Sequence, residues 1–154
     1  MVALRPPVEE VLTRMNSEHQ QLRDLLLAVT AICPDEPTPV DCSACDAALR
    51  RGCEETLTEH LGEMLAFMAM HFRYEDTVMR DWQLLSTARE ACEDHQRDHS
   101  RISALASRMV ADLEPGNPLH GIRDLHDLVV QWIDRHIEVH DLAMIRLLQQ
   151  VDEH

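Results

Sequence analysis

Apolar residues recur at intervals of three and four along four stretches of this chain, and each stretch is bounded by residues that start or stop a helix. The first carries Val8, Leu12, Met15, Leu22 and Leu26 on one face. It opens after Pro6-Pro7, where a missing N–H costs nothing, and must end before Pro34. This predicts a helix over about 7–32. Residues 33–45 then hold three prolines and three of the five cysteines and read as a loop. Asp41 is the expected cap of a second helix over about 42–82, with Leu57, Met64, Met68, Val78 and Trp82 on one face and weak points at Gly52 and Gly62.

Thr87-Ala88-Arg89-Glu90 has the form of a capping box, so a third helix is expected over about 87–113, with Ala88, Cys92, Ile102, Ala106, Met109 and Leu113 facing inward. Glu114-Pro115-Gly116 closes it. Asn117 offers the cap and Pro118 the first turn of a fourth helix over about 118–150, with Val129, Ile133, Ile137, Met144 and Leu148 on its face. Four helices with mostly short connections form an antiparallel up-and-down bundle, and 154 residues suit one domain spanning 1–154. The scarcity of aromatic residues and glycine excludes an all-β fold.

Polar residues interrupt all four faces at comparable depth. His19 lies on the first stripe, His71 and Glu75 on the second and His95 and His99 on the third, while His136 and Asp141 flank the fourth. A single imidazole on such a face is ordinarily a hydrogen-bonded core residue. Five imidazoles and two carboxylates meeting in one cross-section each need a partner in a low-dielectric interior, and a pair of divalent ions satisfies all of them together. His71-x-x-x-Glu75 and His95-x-x-x-His99 aim two donors at one point, and the wider i, i+5 spacing of His136 and Asp141 suits groups that straddle two ions. With a bridging oxygen added, the donors fill one six-coordinate ion and one five-coordinate ion that keeps a position for a small ligand. The ferritin-like Glu-x-x-His pattern is absent: no glutamate has a histidine three positions later.

His19, His71-Phe72-x-x-Glu75, His95-x-x-x-His99 and Trp132-x-x-x-His136-Ile137-x-x-x-Asp141 together resemble the bacterial hemerythrins, over about residues 10–150. The resemblance implies a di-iron centre, two iron ions bridged by an oxo or hydroxo group. His95, His99 and His136 would hold one iron and His19 and His71 the other, with Glu75 and Asp141 bridging. It implies reversible dioxygen binding at the second iron, in storage, delivery or sensing, with nitric oxide and peroxide as other small ligands. Leu22, Leu26, Met64, Met68, Ile133 and Ile137 are the expected walls, although residues at such spacing also serve as ordinary packing.

Two other readings use the same residues. A di-iron enzyme would reduce dioxygen, peroxide or nitric oxide and turn over with an added reductant. A zinc-loaded structural bundle would be colourless. His140, between His136 and Asp141 on the wheel, is either a proton donor behind the ligands or a rim residue that reaches water. Asp76 is expected at the surface. His60 shares the His71 stripe but stands about 16 Å away and cannot reach the same ion.

Fourteen arginines, no lysine and twenty-eight acidic residues give a formal charge of −14, which repels nucleic acid and anionic membrane surfaces and excludes lysine chemistry. No apolar run is long enough to span a bilayer, and residues 1–7 lack the features of a secretory signal, so the expected compartment is the cytoplasm; the sequence leaves the oligomeric state open between a monomer and a small homo-oligomer. Cys33, Cys42, Cys45 and Cys53 lie in the interval between His19 and His71, which is longer than in the family that the chain resembles. They read as free thiols in a reducing compartment, a redox switch or a second metal site. With Cys92 expected in the core and an odd total, a complete disulfide framework is unfavoured.

Overall fold

A computed structural model of the chain describes residues 5–33 and 42–153. Its elements are α1 (Val8–Thr30), a one-turn 3-10 helix (Cys42–Ala44), α2 (Ala47–Asp81), the short α3 (Leu84–Thr87), α4 (Arg89–Ala111), α5 (Leu119–His136), a π-turn (Ile137–Asp141) and α6 (Leu142–Asp152). No strand occurs among the described residues, and the protein is all-α. Helix α1 packs on α2, α2 on α4, α4 on α5, and α5 with α6 back on α1, which closes an antiparallel four-helix bundle. No helix among the described residues is long and apolar enough to cross a membrane.

The core is divided. One apolar cluster includes Leu22, Leu26, Met64, Met68, Leu125, Val129 and Ile133. The other includes Val11, Met15, Val78, Met79, Cys92, Met144 and Leu148 at the opposite end of the bundle. Between them lies a layer of buried polar residues: Glu18, His19, His71, Glu75, His95, His99, His136 and Asp141. Burial of the two clusters stabilises the bundle on either side of that layer, by about 25 cal/mol for each Å² of apolar surface removed from water.

Helix boundaries differ from the expected ones in physically instructive ways. Asp41 lies outside the described residues; α2 is capped instead by Asp46, whose carboxylate accepts the Leu49 amide at 2.8 Å. The helix then passes unbroken through Gly52 and Gly62. Thr87 forms no capping box: it closes α3, its hydroxyl donates back to the Gln83 carbonyl at 3.2 Å, and Ala88 caps α4 with no side-chain bond. Gln83, at φ 59°, makes the left-handed break between α2 and α3. Asn117 does not cap α5 either, because its side-chain oxygen accepts the Cys42 amide at 2.9 Å across the bundle end. Pro118 takes the cap position. Beside it Gly116 adopts φ 80°, and its amide donates to Glu54 at 2.7 Å. The last predicted helix, 118–150, is two helices joined by the π-turn.

Candidate metal centre

Most side chains of the polar layer come from the inward faces of long helices, and Asp141 from the π-turn, so burying those faces also buries the polar atoms on them. All seven sequence-selected residues meet there. The Nε2 atoms of His95 and His99 each stand 3.1 Å from Nε2 of His136. His19 and His71 face this trio across the bundle, their rings 4.9 Å apart edge to face.

The two carboxylates lie between the histidine sets. Glu75 turns Oε1 to His71 Nε2 at 3.1 Å and Oε2 to His99 and His95 at 2.8 and 3.2 Å. Asp141 turns Oδ2 to His19 Nε2 at 3.0 Å and Oδ1 to His136 and His95 at 3.0 and 3.2 Å. Each carboxylate thus presents one oxygen to each set.

These separations fit a metal better than a hydrogen-bond network. Nε2 of His19 and His71 and all four oxygens of Glu75 and Asp141 are buried without a hydrogen-bond partner, although donors and acceptors stand about 3 Å away. They are close but misaligned. Two donors at right angles, each about 2.1 Å from one ion, stand about 3.0 Å apart, the spacing seen here. Among the described residues, Glu75, His95, His99 and His136 form one group able to share an ion and His19, His71 and Glu75 another.

Outward-facing nitrogens are held by two residues that the hydropathy pattern did not single out. Glu18 is buried and accepts His71 Nδ1–H at 2.7 Å, while Arg14 donates to its other oxygen at 2.7 Å. Asp98 accepts His136 Nδ1–H at 2.8 Å and the Trp132 indole N–H at 2.7 Å. A carboxylate on Nδ1 fixes the tautomer that presents the Nε2 lone pair inward and makes it a stronger donor. Both sit beside histidines in sequence, which is the one local signal that could have found them. Phe72 stacks on His99 with ring centroids 4.0 Å apart, and Trp132 stacks on His136 at 4.6 Å, so these imidazoles cannot rotate freely.

Burial alone would lower the pKa of His71 and His136, but the nearby carboxylates outweigh it. Glu75 and then Glu18 push His71 up to about 9, and Asp141 and then Glu75 push His136 up to about 10. In return, the surrounding imidazoles hold Glu75 and Asp141 well below the usual carboxylate range against burial, which would raise them. His99, with weaker support, is lowered by burial.

The family model for the hemerythrin HHE cation binding domain matches residues 11–148. The chain belongs to the hemerythrin family. No curated protein and no solved structure matches it. The matched domain is a cation-binding one, and the His/Glu groups of the polar layer are suited to that role.

The remaining candidates lie outside this centre. His140 is a rim residue: it stacks on His95, lies tilted against His136, stands 4.0 Å from Asp98 and lines two surface cavities. It is on the three-imidazole side, away from His19 and His71. Burial, and then the charge on His136 and His95, lower its pKa. Asp76 accepts a hydrogen bond from Gln96 at 3.1 Å. His60 is 3.5 Å from Glu63. Of the expected walls, Leu22, Leu26, Met64, Met68 and Ile133 are buried, and Ile137 is half-buried against them.

Proposed function

We propose that the centre holds two iron ions and binds dioxygen reversibly, for storage, delivery or sensing. The observation that carries this reading is an asymmetry in the donors. One side of the layer offers the three imidazoles of His95, His99 and His136 with one oxygen from each carboxylate. The other offers only His19 and His71 with the remaining two oxygens. The second side is one donor short, and a small exogenous ligand belongs there. When bound, an iron pair would supply the two electrons that dioxygen takes up and would recover them when dioxygen leaves.

The protein's own contribution is positioning and exclusion. Glu18 and Asp98 hold His71 and His136 in the ligating tautomer. Met15 and Leu22, one turn either side of His19, and Met68, one turn before His71, are fully or almost fully buried and keep water from the poorer side. A nitrogen-rich donor set is also less suited to strong oxidation than a carboxylate-rich one. Binding is preferred to enzymatic reduction because His140, the candidate proton donor behind the ligands, lies against the three-imidazole side.

The test is metal content together with visible spectra of the anaerobically reduced protein before dioxygen, after it and after evacuation. Two irons per chain and a coloured adduct that disappears on evacuation are expected. Steady turnover with an added reductant, without a stable adduct, would identify an enzyme, and a colourless zinc-loaded protein would identify a structural bundle.

A further inference from the structure

Four of the five cysteines play no part in the polar layer, yet the fold gathers them. Cys33 follows the end of α1, Cys42 and Cys45 lie on and beside the 3-10 turn, and Cys53 is on α2, and all four line one cavity at the end of the bundle. The cavity is about 50 Å³, room for an ion or a water rather than an organic ligand. All four thiols are free and only partly exposed. Cys92 is buried in the apolar cluster at the other end.

The cavity is framed by fixed contacts. The Cys42 amide is held by Asn117, and Glu54, one residue beyond Cys53, accepts the Gly116 amide, so the 3-10 turn and α2 are both tied to the loop before α5. Within the turn the Cys45 amide donates to the Cys42 carbonyl at 3.2 Å, which folds this Cys-x-x-Cys pair back on itself. That spacing is one half of a common four-cysteine metal site.

We propose that Cys33, Cys42, Cys45 and Cys53 form a second metal site, for a thiophilic divalent ion such as zinc, separate from the histidine–carboxylate layer. Thiolate donors select soft or borderline ions, whereas the imidazoles and carboxylates of the layer suit iron. Each thiol gives up its proton on binding, and the ion neutralises the mutual repulsion of the thiolates. Burial first, and then the neighbouring cysteines, raise the thiols of Cys33 and Cys53, so a bound ion must displace their protons and affinity falls in acid. Arg50 on the cavity wall and Arg123, whose charge lowers Cys33, offset the negative charge of a four-thiolate site. No three of these sulfurs lie within 4.8 Å of one another, so an ion must draw them in, each χ1 change carrying a sulfur by about 3 Å.

The experiment uses the full chain, stripped of metal, with cobalt and zinc as probes. Cobalt is expected to produce an intense near-ultraviolet sulfur-to-cobalt charge-transfer band, which cobalt in the histidine–carboxylate layer cannot give. Zinc should abolish the band and make four thiols unreactive towards a thiol reagent under native conditions. The Cys42→Ser/Cys45→Ser double variant should lose the band while retaining its iron loading. Absence of the band in the unaltered protein, or thiol reactivity unchanged by zinc, overturns the proposal whether or not the variant folds. So does rapid disulfide formation that zinc fails to prevent.

Discussion

His136 and Asp141 are five residues apart in the chain, yet Nε2 of one stands 3.0 Å from Oδ1 of the other. The π-turn makes this possible. The Leu142 amide bonds to the Ile137 carbonyl, so five residues are wound into a span that an α-helix fills with four. Val139, half exposed on the outside of the turn, is the natural residue to remove. Deleting it should restore α-geometry while keeping the apolar faces of α5 and α6 in phase. The metal-free variant is expected to melt about 2–4 °C higher, the shift for about 1 kcal/mol of relieved strain in a chain of this size. Metal content should fall below that of the unaltered chain. Calorimetry and metal analysis check both, and unchanged metal loading would show that the turn is dispensable to the centre.

Glu18 and Asp98 act through the imidazoles they hold. Glu18→Gln and Asp98→Asn keep the shape of each side chain but remove the charge facing His71 Nδ1 or His136 Nδ1. Each should weaken metal affinity by about 10- to 100-fold, as read by competition with a chromophoric chelator. Arg14→Ala should change it much less, because the Arg14 side chain is half exposed and its pair with Glu18 is screened.

The centre was legible in the sequence where helical periodicity determines which residues point inward. His19, His71, Glu75, His95 and His99 all sit on apolar stripes, and a polar residue there is conspicuous. The geometry of Asp141 is less so, because the apolar periodicity over 118–150 predicts one regular helix and no local residue announces a π-turn. Glu18 and Asp98 carry no such mark: they stand beside His19 and His99 in the chain, but their partners, His71 and His136, lie 53 and 38 residues away. The caps failed for a related reason. Thr87 and Asn117 have the right chemistry for helix starts, but Thr87 serves the preceding turn and Asn117 serves Cys42 across the bundle end.

Stability should respond to pH in opposite directions with and without metal. In the metal-free protein His71 and His136 titrate at about 9 and about 10, above the ordinary 6.5, so their contribution is complete below pH 6.5 and is lost as pH rises through 9 to 10. Glu75 and Asp141 are lowered, and their contribution is present above the usual carboxylate range and lost in acid. Metal-free protein should therefore be most stable between roughly pH 4.5 and 6.5, a window that lowered His99 trims from the acid side. A metal ion must displace the protons on His71 and His136, so affinity should rise with pH through the same interval. Melting curves of the two forms should diverge as pH increases; parallel curves would show that these imidazoles are not the groups the metal deprotonates.

Two fully buried residues separate the centre from the scaffold. Glu75→Ala removes the carboxylate that faces both histidine sets and leaves His71, His95 and His99 without it. Metal content should fall to one ion per chain or none, and undiminished loading would refute the bridging role. Leu125→Ala instead cuts into the apolar cluster well away from the polar layer. It should cost about 2–5 kcal/mol, lowering Tm by about 4–20 °C, because the helices around it cannot fully close the gap. Metal content should stay that of the unaltered chain, since none of the seven donors changes. If Leu125→Ala also lost metal in proportion to stability, the loss in Glu75→Ala would reflect a loosened bundle, and the bridging role would need the conservative Glu75→Gln to be isolated. Glu75→Gln keeps the volume of Glu75 and removes only its charge, so loss of metal with native-like melting is the result that ties loading to the carboxylate itself.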